Sequence, residues 1–522
     1  MSLSDRLSLT RKVRRAGAVT LLALLPVAGS LQACTDLTEV PSSALTPETF
    51  FQNEEEVLGA LASVYAQLRQ LTEGYYNLTE VSSDEYIVPT RGNDWFDNGR
   101  WLEIHKQTWT ANSTSSLDDM NATWNNLFAG VTRANAVLVA IENLDFDSKP
   151  VVTAELRALR AFYYYLLQDF FGGVPIVTDI EIKQRERNTR AEVFAFLEQE
   201  LNEARVVLPD KWSAGNYGRL TKGAANAILA SLYLNAQVFT GTVTASGLQP
   251  GAARWQDAID AVDRILNGSG GYSLATNWRS NFTADNFGSP EIIMAVTYLN
   301  TPGLGLNFLM RALHYNQYDP SPWNGFATIA ETYFAFDTDD QRREVFLAGA
   351  QTHVETGVPV NDRSGAPLFF TPEIADETSA TESEGVRIMK WPTDPNHVQQ
   401  DNGNDFGVFR LAEMYLIKAE ALNELGQTPT GINLVNTIRA RVFSPAKPLS
   451  LSLTQAEFRD AILDERLFEL ISEAKRRQDL IRHGQYTAPW SFKQQREPYR
   501  ILMPIPQTQL DANPLLVQNA GY

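Results

Sequence analysis

Apolar residues recur at spacings of three and four along residues 154–177, where Leu156, Leu159, Phe162, Tyr163, Leu166, Leu167, Phe170 and Phe171 fall on one broad stripe of a 3.6-residue helix. The opposite side carries Ala158, Ala161 and Tyr164 in place of charge, which predicts a helix clamped between two neighbours. Gly172 and Gly173 close it, and Val174-Pro175 forces an extended exit. The same period returns at 124–144, 191–208, 221–239 and 255–266, the last with Ala258, Ile259, Val262 and Ile265 on one side. Residues 409–442 read as a helix pair broken at Gly426, and Thr454 with Glu457 forms a capping box for the next helix. Near the start, Thr46-Pro47 resembles a helix opening, continued by Leu58, Leu61, Tyr65 and Leu68.

Between these blocks the period lapses twice. Residues 72–119 hold turn formers from Ser83 to Trp95, then Trp101, His105 and Trp109. Residues 272–400 are rich in glycine, proline and aromatics, with a short β-branched strand expected at 291–298 and a long loop at 301–325. Long stretches without period inside a compact protein are functional or disordered, and these carry too many aromatics for disorder. The expected fold is mainly α: a helical scaffold with a large irregular, loop-rich excursion packed against it. The small-and-large alternation at Ala227, Leu229, Ala230, Leu232 and Tyr233 fits tetratricopeptide helix pairs, and by period alone a generic helical array fits equally.

The first 33 residues combine Arg6, Arg11, Lys12, Arg14 and Arg15 with an apolar run too short for an ordinary membrane span, the arrangement of a secretory signal. That run ends at Leu31-Gln32-Ala33-Cys34, and Cys34 is the sole cysteine of the 522 residues. A disulfide within the chain and a thiolate metal cluster are therefore excluded. The position fits a bacterial lipobox, with Gln32 a less common residue there, so Cys34 is expected as a lipidated mature N-terminus followed by a polar tether at 34–45. The formal charge of −18 becomes −22 for a chain starting at Cys34, with 39 Lys and Arg against 61 Asp and Glu. Such a field repels phosphate backbones and argues against nucleic acid as partner.

Three stretches together resemble the SusD/RagB outer-membrane nutrient-binding lipoproteins. They are Arg157-Ala158 with Arg160 to Tyr164 and the Phe171-Gly172-Gly173-Val174-Pro175 stop; the Arg410-Leu411-Ala412-Glu413, Ala419 to Asn423 and Asn436 to Arg439 signature; and the tail through Gln518-Asn519-Ala520-Gly521-Tyr522, where proline is usual at 520. Paired Phe50-Phe51 and the Arg476 to Arg482 run fit the same pattern. The resemblance implies a tetratricopeptide-like scaffold in an N-terminal part, 46–271, and a C-terminal part, 401–522, around a ligand-binding region at 272–400, after a signal peptide at 1–33. It also implies a lipid-anchored protein on the outside of the outer membrane. Such a protein captures oligosaccharide, or peptide cargo, for a SusC-like TonB-dependent transporter, without catalysis, cofactor or metal.

Ligand contacts are expected from aromatics of both irregular segments, Trp95, Trp101, Tyr315, Tyr318 and Trp323, with Asp84, Asn93 and Asp94 as polar partners. Sugar rings offer C–H faces to aromatic platforms and hydroxyls to carboxylates and amides. A surface glycoside hydrolase is the enzymatic alternative, because it also sets two carboxylates beside a sugar. A tetratricopeptide-type peptide-binding scaffold is the other. Asp337, Asp339 and Asp340 lack the loop glycine and terminal Glu of an EF-hand and read as a capped helix start. His105 and His314 are expected as hydrogen-bonding loop residues. Glu473 and Arg477 are expected as an i,i+4 ion pair.

Overall fold

A computed structural model describes residues 53–113 and 115–522. The expected signal peptide, lipidated Cys34, tether and helix start at Thr46-Pro47 lie outside the described residues. The first described helix, α1 (Glu54–Ala66), is capped by Asn53, whose side chain accepts from the Glu56 amide at 3.0 Å. Glu54, Glu55 and Glu56 in its first turn meet the positive end of the helix dipole.

After α2 (Gly74–Val81) comes α3 (Leu117–Ala140), and then α4 (Lys149–Phe171), the aromatic helix expected from the sequence. It lies between α3 and α5 (Arg190–Val207), and every residue from Ala154 to Phe171 except Arg157 is buried. Its polar atoms are satisfied inside: Tyr163 Oη donates to the Val64 carbonyl at 2.7 Å, and Arg160 meets Glu200 and the Asn135 side chain. At the helix stop a Cβ on Gly173 would stand 2.2 Å from the Asn188 carbonyl, so the close return of the chain requires glycine there.

The array continues through α6 (Lys222–Leu234) and α7 (Trp255–Leu266), which packs in space on α8 (Leu411–Glu424) although 144 residues separate the two in sequence. From α8 it runs on through α9 (Thr428–Arg439), α10 (Gln455–Leu470) and α11 (Arg476–Arg482). This stacking of antiparallel pairs is a mainly-α, tetratricopeptide-like architecture. The capping box of α10 forms as expected, with Thr454 and Glu457 bonded reciprocally.

Residues 272–400 leave the array after α7 and return before α8. They hold short helices and strand pairs: Ile292–Val296 pairs antiparallel with Phe406–Arg410 at the seam with the helices, and Phe308–Ala312 adds a short helix inside the expected long loop. A buried ionic network ties this excursion to the C-terminal helices. Arg410 contacts Glu291, Glu469 and Glu473; Arg342 contacts Asp340, Glu465 and Glu469; Lys390 contacts Glu473; and Arg441 bridges Glu291 and Glu469. Asp340 also caps its own 3-10 turn, accepting from the Arg342 amide at 2.9 Å.

The expected pair of Glu473 and Arg477 is absent. Helix α10 ends at Leu470, and Ser472 and Ala474 take positive φ, so the chain reverses before α11 begins at Arg476. Glu473 therefore turns to Lys390 and Arg410, while Arg477 pairs with Asp169 of α4 at 3.0 Å.

Candidate functional site

The two irregular segments meet through buried arginines. Arg91 donates to the carbonyls of Asn324, Thr381 and Glu384, and Arg387 donates to the Asn324 side chain and the Glu382 carbonyl. Burial, without a carboxylate in contact, pushes the Arg91 guanidinium down to about 10 and lowers Arg387 as well. These staples fix the loops at 91–95, 324 and 381–387 against each other.

On that base Trp95, at φ 63°, donates its indole N–H to the Trp323 carbonyl at 2.6 Å. Its ring covers Gly325, where a Cβ would lie 2.3 Å from the indole. Edge-on contacts with Trp101 (5.3 Å) and Phe326 (6.0 Å) hold it from behind. Beside it Tyr315 Oη donates to Asp94 Oδ2 at 2.6 Å, and Arg363 reaches the same oxygen at 3.0 Å while its guanidinium covers the Tyr315 ring at 4.0 Å. Arg363 also meets Glu382, whose Oε2 is 2.9 Å from His314 Nε2. Burial lowers His314 against the pull of Glu382 in the opposite direction. Burial would raise Glu382, but the Arg363 amide, His314 and the Arg363 guanidinium hold it below the ordinary carboxylate value.

The expected residues thus divide. Asn93, Asp94, Trp95, Tyr315 and Trp323 share one surface, with Trp323 38% exposed. Trp101 and Tyr318 are buried. Trp101 donates to Asp97 and packs under Trp95, and Tyr318 lies in a small core with Leu309, Met310 and Leu313. Asp84 is committed elsewhere, as a two-pronged acceptor for Arg476 at 2.7 Å to each oxygen. Sequence reasoning missed Phe96, 56% exposed next to Trp95, and both Arg363 and Glu382. Phe96 adjoined a chosen residue. Arg363 and Glu382 carried no signal, because only the folded return of 361–384 brings them to Tyr315.

His105 is buried, with its ring nitrogens 2.9 Å from the carbonyls of Tyr86 and Ser491. Its bonds join the start of this loop to the C-terminal segment. The assembled surface can offer aromatic faces, a phenol, an exposed amide at Asn93 and carboxylates already paired to a guanidinium.

Residues 266–522 match a family model described as the SusD family, and residues 39–234 match one described as starch-binding associating with outer membrane. A SusD-like protein of Formosa agariphila is 25% identical, covering 93% of this chain and 96% of the relative. The starch-binding protein SusD of Bacteroides thetaiotaomicron is 25% identical over 86% of this chain and 85% of its own. Among solved structures, a laminarin-binding SusD-like protein shares the fold at a TM-score of 0.71 and 24% identity, over 90% of this chain and 100% of that one. Surface glycan-binding protein A of Bacteroides thetaiotaomicron, in complex with laminarihexaose, shares it at 0.69 and 20% identity, over 89% and 99%.

Proposed function

The chain belongs to the SusD family, and from that premise we propose that it is a carbohydrate-binding lipoprotein of the outer membrane, which captures oligosaccharide at the Trp95 and Trp323 surface and passes it to a SusC-like TonB-dependent transporter. The observation that carries the reading is the exposed aromatic and amide surface built on a rigid base, within a chain similar along nearly its whole length to a starch-binding protein.

Binding rather than catalysis suits the charges. A glycosidase needs one carboxyl raised enough to give up a proton near neutral pH. Here Glu382 is held low, and Arg363 engages both it and Asp94. An open platform leaves much of a sugar wet, so affinity is expected in the range of about µM to mM, roughly 4 to 8 kcal/mol. Anchoring at Cys34 beside a transporter makes such modest affinity useful by raising the local concentration of captured ligand.

A glycan array with the soluble protein starting after Cys34 tests the reading. Retained oligosaccharides support it, whereas a blank glycan array together with retention on a peptide array would replace it with the scaffold reading. Within the site, Trp323→Ala removes an exposed ring and keeps the carbonyl that Trp95 needs. Affinity measured by calorimetry should fall about tenfold, the effect of roughly 1.4 kcal/mol, with the melting temperature unchanged. Unaltered affinity for every retained glycan would remove Trp323 from the site.

Cys34→Ser should release the protein from the membrane fraction and abolish fatty-acid labelling, because several acyl chains at about 0.8 kcal/mol per buried methylene supply the attachment. Labelling that survives the substitution would refute the anchor. Purification of the wild-type protein from outer membranes in mild detergent should recover a large barrel protein in near-equal amount, and a solitary lipoprotein after surface crosslinking would exclude the transporter.

A further inference from the structure

A pocket of about 730 Å³ opens where the N-terminus of α5 faces the C-terminal tail, with Gly173, Arg187, Arg190, Thr242, Gln518 and Asn519 in its wall. It shares no residue with the Trp95 and Trp323 surface. Arg190 is 8% exposed, yet among the described residues none of its guanidinium N–H groups has a hydrogen-bond acceptor and no carboxylate lies in ion-pair contact with it. Nε and Nη1 are sealed in the protein without a partner, Nη2 is not among the sealed nitrogens, and Arg190 lines the pocket. Buried Arg91, Arg342, Arg387 and Arg410 each make several hydrogen bonds, and Arg466, which also has nitrogens without a hydrogen-bond partner, ion-pairs with Asp479.

The surroundings add positive charge. Arg187 spends its donors on the carbonyls of Gly173, Val517 and Phe171 and on Asn519 Oδ1, with no carboxylate among its partners. Arg477 stands nearby and takes Asp169 Oδ1 at 3.0 Å, which leaves Asp169 Oδ2 without a donor. Arg190 thus stands among Arg187, Arg477 and Asp169, and Asp169 pairs with Arg477. Glu192 is held by its capping box with Thr189, and Glu186 is exposed at the rim. Burial pushes Arg187 and Arg190 down to about 10, the sign of positive charges short of a counter-ion. The first two amides of α5, those of Arg190 and Ala191, find no acceptor among the described residues. They point along the positive end of an 18-residue helix.

We propose that this pocket binds a tetrahedral oxyanion, sulfate or phosphate, with Arg190 as the charged ligand and the first amides of α5 as supporting donors. The volume admits the anion free or as an ester on a single sugar. This inference stands apart from the glycan reading and survives its failure.

Crystals of the soluble wild-type protein soaked in millimolar selenate test it without altering any residue. An anomalous selenium peak beside Arg190 is expected, with a selenate oxygen accepting from its guanidinium. A water bridging Arg190 to Asp169 in its place, with no selenium there, would overturn the proposal. In solution, calorimetry at fixed ionic strength should give millimolar sulfate binding, weakened at least tenfold in Arg190→Gln. Equal affinity in a folded variant also overturns it. Glucose 6-sulfate and glucose separate the sources: binding of the ester but not the neutral sugar identifies an ester ligand, and binding of inorganic sulfate alone identifies the free ion.

Discussion

Arg410→Met should destabilise the protein by about 3–5 kcal/mol, the effect of leaving buried carboxylates without their counter-charge. The guanidinium is fully buried and meets Glu473 at 2.6 and 2.7 Å, Glu291 at 2.6 Å and Glu469 at 3.0 Å. Its removal strands three acids that share only Arg342, Lys390 and Arg441 afterwards. Urea denaturation at pH 7 measures the loss. Arg459→Met is the control, because Arg459 pairs with Glu424 at the surface and should cost under about 1 kcal/mol. Equal losses in the two variants would show that the network adds nothing beyond a surface pair. The network also sets an acid limit. Burial would raise Glu469, but Arg441, Arg410, Arg342 and Lys390 hold it near 2 against an ordinary 4.5, so its contribution is present above pH 4.5 and lost as pH falls towards 2.

Much of the scaffold was legible because helices announce themselves locally. The stripe from Leu156 to Phe171, the glycine stop and the Thr454 capping box each depend on residues within a turn or two. What the sequence hid is what depends on return paths. Glu473 and Arg477 sit four apart, yet two positive-φ residues between α10 and α11 send them to different partners. Positive φ at Ser472 and Ala474 has no glycine to mark it. The packing of α7 on α8 was hidden likewise, since the whole excursion intervenes.

The site was half legible for the same reason. Aromatic type pointed to Trp95 and Trp323, whose side chain and carbonyl do meet, but type cannot tell a platform from its support. Trp101 follows Trp95 by six residues and goes under it because its indole finds Asp97 four residues back. Tyr318 follows Leu313 into a local apolar cluster. Asp84 faces Arg476, nearly the length of the chain away, and so serves the joint between the loop and α11.

Close to that joint, the stability contributed by Glu80 should fall as pH rises from 5 to 8, and Glu80→Gln should remove that dependence. Glu80, near the end of α2, accepts from the Ala474 amide at 2.6 Å, and Glu85 accepts from the Ser472 amide at 2.8 Å. The second oxygen of Glu80 has no donor among the described residues, and a bond to the Glu85 carboxyl exists only while a proton sits between them. Burial is the main cause that raises both groups, Glu80 to about 7; Glu80 raises Glu85 further, while the shared bond to Glu85 draws Glu80 down. Lys390 and Arg476 draw them down and Glu473 pushes up, but burial wins. A folded pKa above the unfolded value means that the folded state holds the extra proton. The stability it contributes is complete below pH 4.5 and lost as pH rises through about 7. For a shift of this size the loss is on the order of 3 kcal/mol. Because Ser472 and Ala474 sit in strained left-handed conformations, their amides are the anchor by which this pair binds the site-bearing loop to the C-terminal helices. Glu80→Gln keeps an acceptor for the Ala474 amide and gives the Glu85 carboxylate a permanent N–H donor. Among denaturation midpoints at pH 5, 6, 7 and 8, the wild type should lose ground to the variant as pH rises, with the two closest at pH 5. Parallel curves would mean that Glu80 and Glu85 share no proton in the folded protein.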